Sequence, residues 1–275
     1  MGNSMRKRNH RRAQAGFTIV ELMVATVVFS VILIIITTGV IHITQTYNKG
    51  INLINTQNTA RNIMDSISQS IQFSGGVVSW PQPSDNPVGT SGPVTAGRGC
   101  IGSQQYDFQL GYQVDDNPDG TIKQAKDALT LRSGVAGCSK NPVAAVPATP
   151  TAPQIPAVPG SFSPPAKDFS ELIGQHMRLT KLTVNRLSGD ANTDNLYAVA
   201  VTVVYGDYDL LCDTTYTVGS PGSCGVDAPA MQPTDPNFYK FLISPNLTCR
   251  GSAGSQYCAV SALSTVVQQR LTVKT

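Results

Sequence analysis

The chain begins with an apolar stretch of membrane length. From Phe17 to Ile41, Glu21 is the only charged residue. As a helix this stretch would extend about 37 Å, whereas the hydrocarbon core of a bilayer is about 30 Å thick. We therefore predict a membrane-spanning helix over residues 17–41.

The helical pattern continues after the apolar stretch, but with a single apolar face. Between residues 51 and 73, apolar side chains recur at intervals of three and four residues, the spacing of one helix face. They are Ile51, Ile54, Ala60, Ile63, Met64, Ile67 and Ile71. Glycines at 75 and 76 favour a helix end, because glycine adopts the left-handed capping conformation at little cost. The pattern predicts one long helix over 17–74, with an amphipathic part at 42–74 that packs on the rest of the protein.

After Gly76 the pattern changes to an alternation of β-branched and polar residues. Segments with this period of two predict strands at 106–114, 127–133, 176–187, 196–206, 238–244 and 258–273. Residues 141–165 contain eight prolines in 25 residues. Because proline lacks the amide donor that a sheet needs, we expect an extended polyproline-type or disordered loop there. This loop is interpreted as a surface insertion, with a docking site for a partner as the alternative. Residues 75–275 thus form a predicted β-rich head outside the membrane.

The charge of the chain is concentrated at its N-terminal tip. Residues 1–16 carry five basic and no acidic side chains, and the remainder carries 15 basic and 17 acidic ones. By the positive-inside rule the tip is cytoplasmic and the head lies outside. The basic residues of the head that could face DNA are Lys140, Arg178, Lys181, Arg186, Arg250 and Arg270. They are scattered and lack interleaved aromatic residues, so nucleic-acid binding is not the favoured interpretation.

All six cysteines follow the apolar stretch. They are Cys100, Cys138, Cys212, Cys224, Cys249 and Cys258. An even number beyond a membrane segment indicates three disulfides in an oxidising compartment. Fifteen pairings of the six cysteines are open. The pairing that we expect joins sequence neighbours, as 100–138, 212–224 and 249–258. Zinc binding is disfavoured because no CxxC pair is present.

The junction of the basic tip and the apolar stretch carries the most specific signal. A short basic leader ends at Gly16, Phe17 follows, and Glu21 stands four residues later. The stretch GFTIVELMVA resembles the type IV prepilin signature, in which a membrane peptidase cuts after the glycine and methylates the new N-terminal phenylalanine. The resemblance implies cleavage between Gly16 and Phe17, methylation of Phe17 and an assembly role for Glu21. It also implies an α+β pilin fold, with the long helix packed on an antiparallel β-sheet and loops stapled by disulfides.

Glu21 is an unusual residue for a membrane helix. An acidic side chain at mid-membrane costs about 2.5–3.5 kcal/mol, although Glu21 lies only about 6 Å along the helix from Phe17, near the headgroups. Cleavage would create a free amine that Glu21 of a neighbouring subunit can pair with. Breaking such a buried pair costs about 3–5 kcal/mol, so Glu21 is expected to set the register of assembly. The alternative is an interfacial residue in an uncleaved signal anchor.

The end of the helix and two segments of the head extend the resemblance to particular subunits. The end of the helix, ARNIMDSISQSIQFSGG, and the segments DALTLRS and LSTVVQQR look like those of minor pilins of the W type and the type II secretion pseudopilin J. Six cysteines and a proline-rich insertion suit a minor subunit better than a major one. The implied partners are other pilin or pseudopilin subunits through residues 17–41, the prepilin peptidase and an inner-membrane assembly platform. The implied location is the cytoplasmic membrane, followed by a cell-surface or periplasmic filament.

The machine that the subunit serves is left open, among a type IV pilus, a secretion pseudopilus and a DNA-uptake pilus. The alternative function is a binding module, displayed on a filament, whose head contacts DNA, a surface or a secretion substrate. Catalysis is not predicted, because the three histidines are dispersed and no hydrolase, metalloprotease or phosphate-loop motif is present. No cofactor is expected.

Two loops rich in aspartate and asparagine, at 115–120 and 190–194, have the opening spacing of a calcium loop. Both lack the closing carboxylate that such a loop uses to hold the ion. Aspartate, asparagine and glycine are also the ordinary residues of turns. We therefore interpret both loops as turns, with weak calcium sites as the alternative, and predict no metal site.

Overall fold

The computed structural model describes residues 18–82, 94–111, 113, 128–135, 138, 140–144, 170–187, 196–225, 228–232, 234–235, 237–242, 244, 246–251 and 254–270. Gly16 and Phe17, both aspartate-rich loops and most of the proline-rich segment lie outside the described residues. By its internal contacts the chain divides into two units, Met1–Thr46 and Tyr47–Thr275.

One helix, α1, extends over Ile19–Phe73 and has 55 residues. It begins two residues later and ends one residue earlier than the sequence predicted. Ser74 follows the helix, and Gly75 has a φ of +57°, in the left-handed region that glycine adopts without steric cost. All residues of α1 up to Tyr47 are exposed, so the apolar part of the helix contributes nothing to the core of the chain.

The head is built of antiparallel strands. In chain order, the strands of the described residues are β1 (Val78–Ser79), β2 (Val94–Ile101), β3 (Gln104–Gln109), β4 (Leu129–Arg132), β5 (Asn141–Ala144), β6 (Ser170–Glu171), β7 (Met177–Arg186), β8 (Leu196–Tyr205), β9 (Leu211–Asp213), β10 (Leu247–Cys249) and β11 (Ala259–Gln268). The first sheet has the order β1-β2-β3-β4-β6, with β5 also paired to β2. The second sheet has the order β11-β8-β7, and β9 and β10 form a small third sheet. This arrangement confirms the predicted α+β class.

The main core joins the amphipathic part of α1 to the first two sheets. The buried residues of the helix are Thr56, Ala60, Ile63, Met64, Ile67 and Ile71. All of these except Thr56 share one cluster with Tyr106 and Phe108 of β3, Leu179 of β7, and Val199 and Val201 of β8. The helix therefore anchors the head through the face that the three-four spacing predicted, from Ala60 onward.

The buried face of the helix begins later in the sequence than predicted. Ile51 is 38% exposed and Ile54 is 57% exposed. At this end α1 meets the head through a polar contact instead, since the Asn52 side-chain amide donates to the Gln256 carbonyl at 2.9 Å. The burial of the helix begins at Thr56, because only from that turn onward does the helix pack on the core.

The predicted strand at 238–244 is wrong. Phe238–Leu242 forms a short helix, α2. Its apolar residues Phe238, Phe241 and Leu242 stand at helical spacing, and the last two are buried in a second, smaller core with Met231 and Leu247. The aromatic composition favoured a strand, but the burial of one helical face decides the structure.

Several strands were not predicted from the sequence. Strand β2 reads VTAGRGCI, in which alanine and two glycines hide the alternation of large apolar residues. Strand β5 lies at the start of the proline-rich segment and has Pro142 opposite Gly97. Because β5 pairs only with β2 among the described strands, Pro142 lies at a sheet edge, where proline is tolerated.

Candidate assembly site at the start of the long helix

The start of α1 is closed by a reciprocal capping arrangement between Thr18 and Glu21. The backbone amide of Thr18 donates to Glu21 Oε2 at 3.1 Å, and the Thr18 hydroxyl donates to the same oxygen at 3.2 Å. In return, the backbone amide of Glu21 donates to Thr18 Oγ1 at 3.2 Å. This is a capping box, in which the residue before the helix and the third helical residue satisfy each other's donors.

The capping box gives Glu21 a local role that the sequence analysis missed. The signal was present in the sequence as Thr-x-x-Glu directly before an apolar run. The carboxylate also lies in the first helical turn, where the positive end of the helix dipole stabilises an anion. Glu21 is exposed, so a positive group from outside the chain can reach it while the cap is in place.

The hydroxyl groups of α1 up to Thr46 are satisfied within the helix. They donate to backbone carbonyls three or four residues earlier, at 2.7–3.1 Å. The donors are Thr26, Ser30, Thr37, Thr38, Thr44 and Thr46. Because polar groups in hydrocarbon need an internal partner, these side chains fit a lipid environment or a bundle of apolar helices.

Length and composition single out α1 as a candidate membrane span. Its most apolar window has a mean hydropathy of 2.9, and none of that window is buried. Among the described residues no second helix satisfies the same criteria. The exposed apolar surface must therefore be covered by lipid or by other chains.

Comparison with known families identifies this N-terminal segment. A family model described as the prokaryotic N-terminal methylation motif matches residues 11–37. This match supports the resemblance of the N-terminal segment to type IV prepilins. The match includes Gly16, Phe17 and Glu21 and covers a short part of the chain. No curated protein and no solved structure matches the chain.

The motif together with the exposed apolar helix is consistent with a membrane-anchored chain. Among the described residues, no group of three or more histidine, cysteine or acidic side chains could hold a metal ion. The loops at 115–120 and 190–194 lie outside the described residues, so their interpretation as turns stays a prediction and weak calcium sites stay the alternative.

The six cysteines form three disulfides in the structure. Cys100 bonds to Cys138, Cys212 to Cys224, and Cys249 to Cys258. Cys100 lies in β2, so the first bond links this strand to residue 138. Cys212 lies in β9 and Cys249 in β10, the two strands of the smaller core. Each bond joins cysteines that are neighbours along the chain, and the loops enclosed by the last two are short, with separations of 12 and 9 residues.

Arg178, one of the basic residues considered for DNA binding, is buried. Its guanidinium donates to Gln113 Oε1 at 2.5 Å and to the Gly206 carbonyl at 3.0 Å. Burial lowers the pKa of Arg178 to about 10, and the nearby Asp207 carboxylate opposes this shift. The side chain therefore joins β7 to its neighbours and is not available to a phosphate backbone.

Arg250 also has a structural role. It donates to the carbonyls of Leu211, Ala228 and Pro229, at 2.7, 2.6 and 2.8 Å. These bonds hold the segment at 228–229 against β9. Arg178 and Arg250 are therefore committed to contacts within the head, and these two guanidinium groups do not contribute to a DNA-facing patch.

A buried tyrosine fixes the amphipathic part of α1 on the first sheet. The Tyr106 hydroxyl lies 2.7 Å from Ser70 Oγ and 3.2 Å from Ser66 Oγ. It also lies 3.3 Å from the Ser66 carbonyl, to which it can donate. The two serines are four residues apart on the same helix face, so a one-residue shift of α1 would break the arrangement.

Proposed function

We propose that the chain is a minor pilin or pseudopilin subunit. It is cleaved between Gly16 and Phe17, methylated at Phe17, and assembled into a filament through residues 17–41. The observation that carries the proposal is the methylation motif at 11–37, which overlaps the start of a helix whose apolar residues are all exposed up to Tyr47. A helix of this kind needs lipid before assembly and neighbouring helices after it.

In the proposed membrane stage, the basic tip holds the N-terminus on the cytoplasmic side and the head folds outside. Two features support this orientation. Five basic residues precede the apolar segment, and three disulfides lie in the head, which suits an oxidising compartment. Prepilin peptidase then acts at the cytoplasmic face, where Gly16 offers an unhindered backbone.

In the proposed filament stage, Glu21 combines two roles. Its carboxylate closes the start of its own helix through Thr18, and its exposed position allows pairing with the new N-terminal amine of a neighbouring subunit. A carboxylate between apolar helices is costly when it is unpaired. Subunits in the wrong register are therefore disfavoured.

Intact-mass measurement tests the processing step. We expect the mature protein to lack residues 1–16 and to carry one additional methyl group on Phe17. Substitution of Gly16 by a bulky residue should leave the leader attached and the methyl group absent. A chain that retains its leader in the native host would instead be a signal-anchored extracytoplasmic protein, and the proposal would be wrong.

Two substitutions at Glu21 separate capping from pairing. Glutamine also serves at this position of a capping box, so Glu21→Gln keeps the cap and removes the charge, whereas Glu21→Ala removes both. If pairing with a neighbour's amine drives assembly, both variants insert into the membrane and both are depleted from purified filaments. Normal incorporation of Glu21→Gln beside depletion of Glu21→Ala would show that the residue acts through capping alone.

We propose a minor rather than a major role because the head carries three disulfides and a long proline-rich insertion. The resemblance to W-type minor pilins and to the type II secretion pseudopilin J supports the same assignment. Quantitative mass spectrometry of purified filaments should find this chain at a small fraction of the main subunit, and deletion of its gene should abolish or reduce filaments. A chain that makes up most of the filament mass would contradict the minor role.

A further inference from the structure

A groove lies between the last turns of α1 and the ends of the first sheet. It has a volume of about 690 Å³ and is bounded on one side by the end of α1 from Asn62 onward and by Ser74, which follows it. The other side is formed by the turn between β2 and β3 and by the end of β4. This volume falls within the range of roughly 300–1,000 Å³ that is usual for small-molecule sites.

The lining of the groove is polar and nearly uncharged. Of its twelve lining residues, eight are serine, asparagine or glutamine, and Asp65 is the one charged residue. The apolar members are Phe73, Ile101 and Leu131. The hydroxyls of Ser66 and Ser70 already contact Tyr106. The exposed amides of Asn62 and Gln69 can both donate and accept hydrogen bonds, so the groove offers neutral partners of both kinds.

This composition disfavours several classes of ligand. A phosphate, a sulfate or a nucleic acid would find no basic side chain among the lining residues and would face the carboxylate of Asp65. A divalent cation would find a single carboxylate and no metal-binding group among the described residues. A lipid chain would leave the lining amides and hydroxyls unsatisfied. A neutral molecule with many hydroxyl groups matches the lining best.

Phe73 provides a flat apolar surface at the end of the groove. Its side chain is 57% exposed at the last residue of α1. The C–H face of a sugar ring can stack on an aromatic ring, whose π-face is electron-rich. Asp65 lies eight residues earlier on the same helix, about 12 Å along its axis. This separation suits a chain of sugar units rather than a single one.

Gln104 adds a second indication. Its side-chain Oε1 is buried and receives no hydrogen bond from the described residues, and Gln104 is one of the residues that line the groove. A buried acceptor without a donor is unfavourable, because its lost bond to water is not replaced. Because this oxygen is itself buried, a ligand hydroxyl would supply the donor once the amide turns toward the groove that it lines.

We propose that this groove binds an uncharged oligosaccharide. Phe73 stacks on one sugar ring, and Asp65, Gln69 and Gln104 bind the hydroxyls of the units beside it. The inference does not depend on the proposed filament role, since the groove lies wholly within the second unit, at residues 62–133. Combined with that role, it would make the chain a glycan-binding subunit of its filament.

The test uses the full chain in a zwitterionic detergent without a sugar headgroup, applied to an array of immobilised neutral, sialylated and sulfated oligosaccharides. Wild-type protein should bind neutral members of the array. Phe73→Ala should weaken that binding by between about twofold and tenfold, since the sugar ring loses its aromatic contact. Gln69→Ala should weaken it several-fold. Both residues are exposed on the helix surface, so we expect the variants to fold normally.

Val77→Ala is the matched control, because Val77 is 81% exposed and does not line the groove. It should bind the array like the wild type. The proposal is overturned if the wild type binds no oligosaccharide, binds only acidic ones, or binds equally well with Phe73 replaced. It is also overturned if Phe73→Ala breaks up oligomers in light scattering without a change in glycan binding, because the groove would then be a contact between copies. None of these outcomes affects the mass test of processing.

Discussion

Trp80 packs face-on over the strand pair β2–β3. Its ring stacks on Phe108 with centroids 5.4 Å apart and an angle of 2° between the planes. This arrangement is compatible only with a glycine at position 99, because a Cβ placed there would lie 2.1 Å from Trp80 Cε3. The glycine that hides β2 in the sequence is therefore required by the core.

Gly99→Ala should destabilise the head. The methyl group would push the indole out of its stack, and overpacking of this kind costs about 1–3 kcal/mol. Urea unfolding followed by tryptophan fluorescence measures the change, since Trp80 is the only tryptophan of the chain. Gly251→Ala is the matched control, because a Cβ there meets nothing within 4 Å. Equal stability of the two variants would show that the indole is free to move.

Tyr106→Phe tests the contact between α1 and the first sheet. The variant loses the hydroxyl that bonds to Ser66 and Ser70, and we expect a loss of about 0.5–1.5 kcal/mol at neutral pH. Tyr257→Phe, at an exposed tyrosine, should unfold like the wild type. No loss in Tyr106→Phe would mean that the apolar contacts alone hold the helix in register.

Tyr106 also gives the stability of the head a pH dependence. Burial raises the pKa of its hydroxyl above the ordinary value of 10.0, and the bonds from Ser66 and Ser70 oppose the shift in part. A raised folded-state pKa means that stability is complete below about pH 10 and falls as the pH rises toward the folded value. The wild type should therefore lose more stability than Tyr106→Phe between neutral pH and about pH 11. Burial also raises the pKa values of Tyr197 and Tyr216, but these two tyrosines contribute equally in the wild type and in the variant. A similar loss of stability in the wild type and in Tyr106→Phe would therefore contradict this assignment.

At the scale of elements, the smaller core depends on its disulfides. It consists of short pieces, namely β9, β10 and α2, around Leu211, Phe241 and Leu247. Elements of three to five residues have little intrinsic stability. The bonds Cys212–Cys224 and Cys249–Cys258 limit the freedom of the unfolded chain here.

Replacing Cys212 and Cys224 by serine should cost about 2–3 kcal/mol for a loop of this length. We expect the loss to be local. In hydrogen exchange, the amides of Phe241 and Leu247 should lose protection, while those of Val199 and Val201 in the second sheet should keep it. Loss of protection in both places to the same extent would show that the two cores unfold as one unit.

The elements differ in how well the sequence predicts them. The long helix is predicted well, because a membrane-length apolar run and a three-four spacing are both strong patterns. Strands β7, β8 and β11 are predicted well for the same reason, since each repeats large apolar residues over ten positions. Strands β9 and β10 are too short to show a period, and α2 exists only because tertiary packing buries one side of a five-residue segment.

The candidate site shows a similar limit. Glu21 could be singled out from the sequence because a charge within an apolar run is rare, and its Thr18 partner stands at the spacing of a capping box. The groove beside Phe73 could not, because its lining comes from α1, from the β2–β3 turn and from β4, which are distant in sequence. Serines and glutamines have no pattern of their own until the fold brings them together.

At the scale of the whole molecule, the two units differ in what they need from their surroundings. The described part of the first, residues 18–46, is exposed throughout and must be covered by lipid or by other subunits. The second contains both hydrophobic cores and all three disulfides. This division suits a protein whose first unit changes environment while its second unit keeps its fold.

The division predicts that residues 47–275 fold without the apolar segment. Expressed in an oxidising compartment, this fragment should stay monomeric without detergent and should melt within a few degrees of the full chain. A fragment of residues 65–275 is the informative comparison, because it also lacks the buried residues Thr56, Ala60, Ile63 and Met64. Loss of a large buried aliphatic side chain costs about 2–5 kcal/mol, and a whole domain is stable by only about 5–15 kcal/mol. The shorter fragment should therefore aggregate or remain unfolded. If it melts like the longer one, the amphipathic part of α1 is not the anchor of the head, and the helix would serve only to display it.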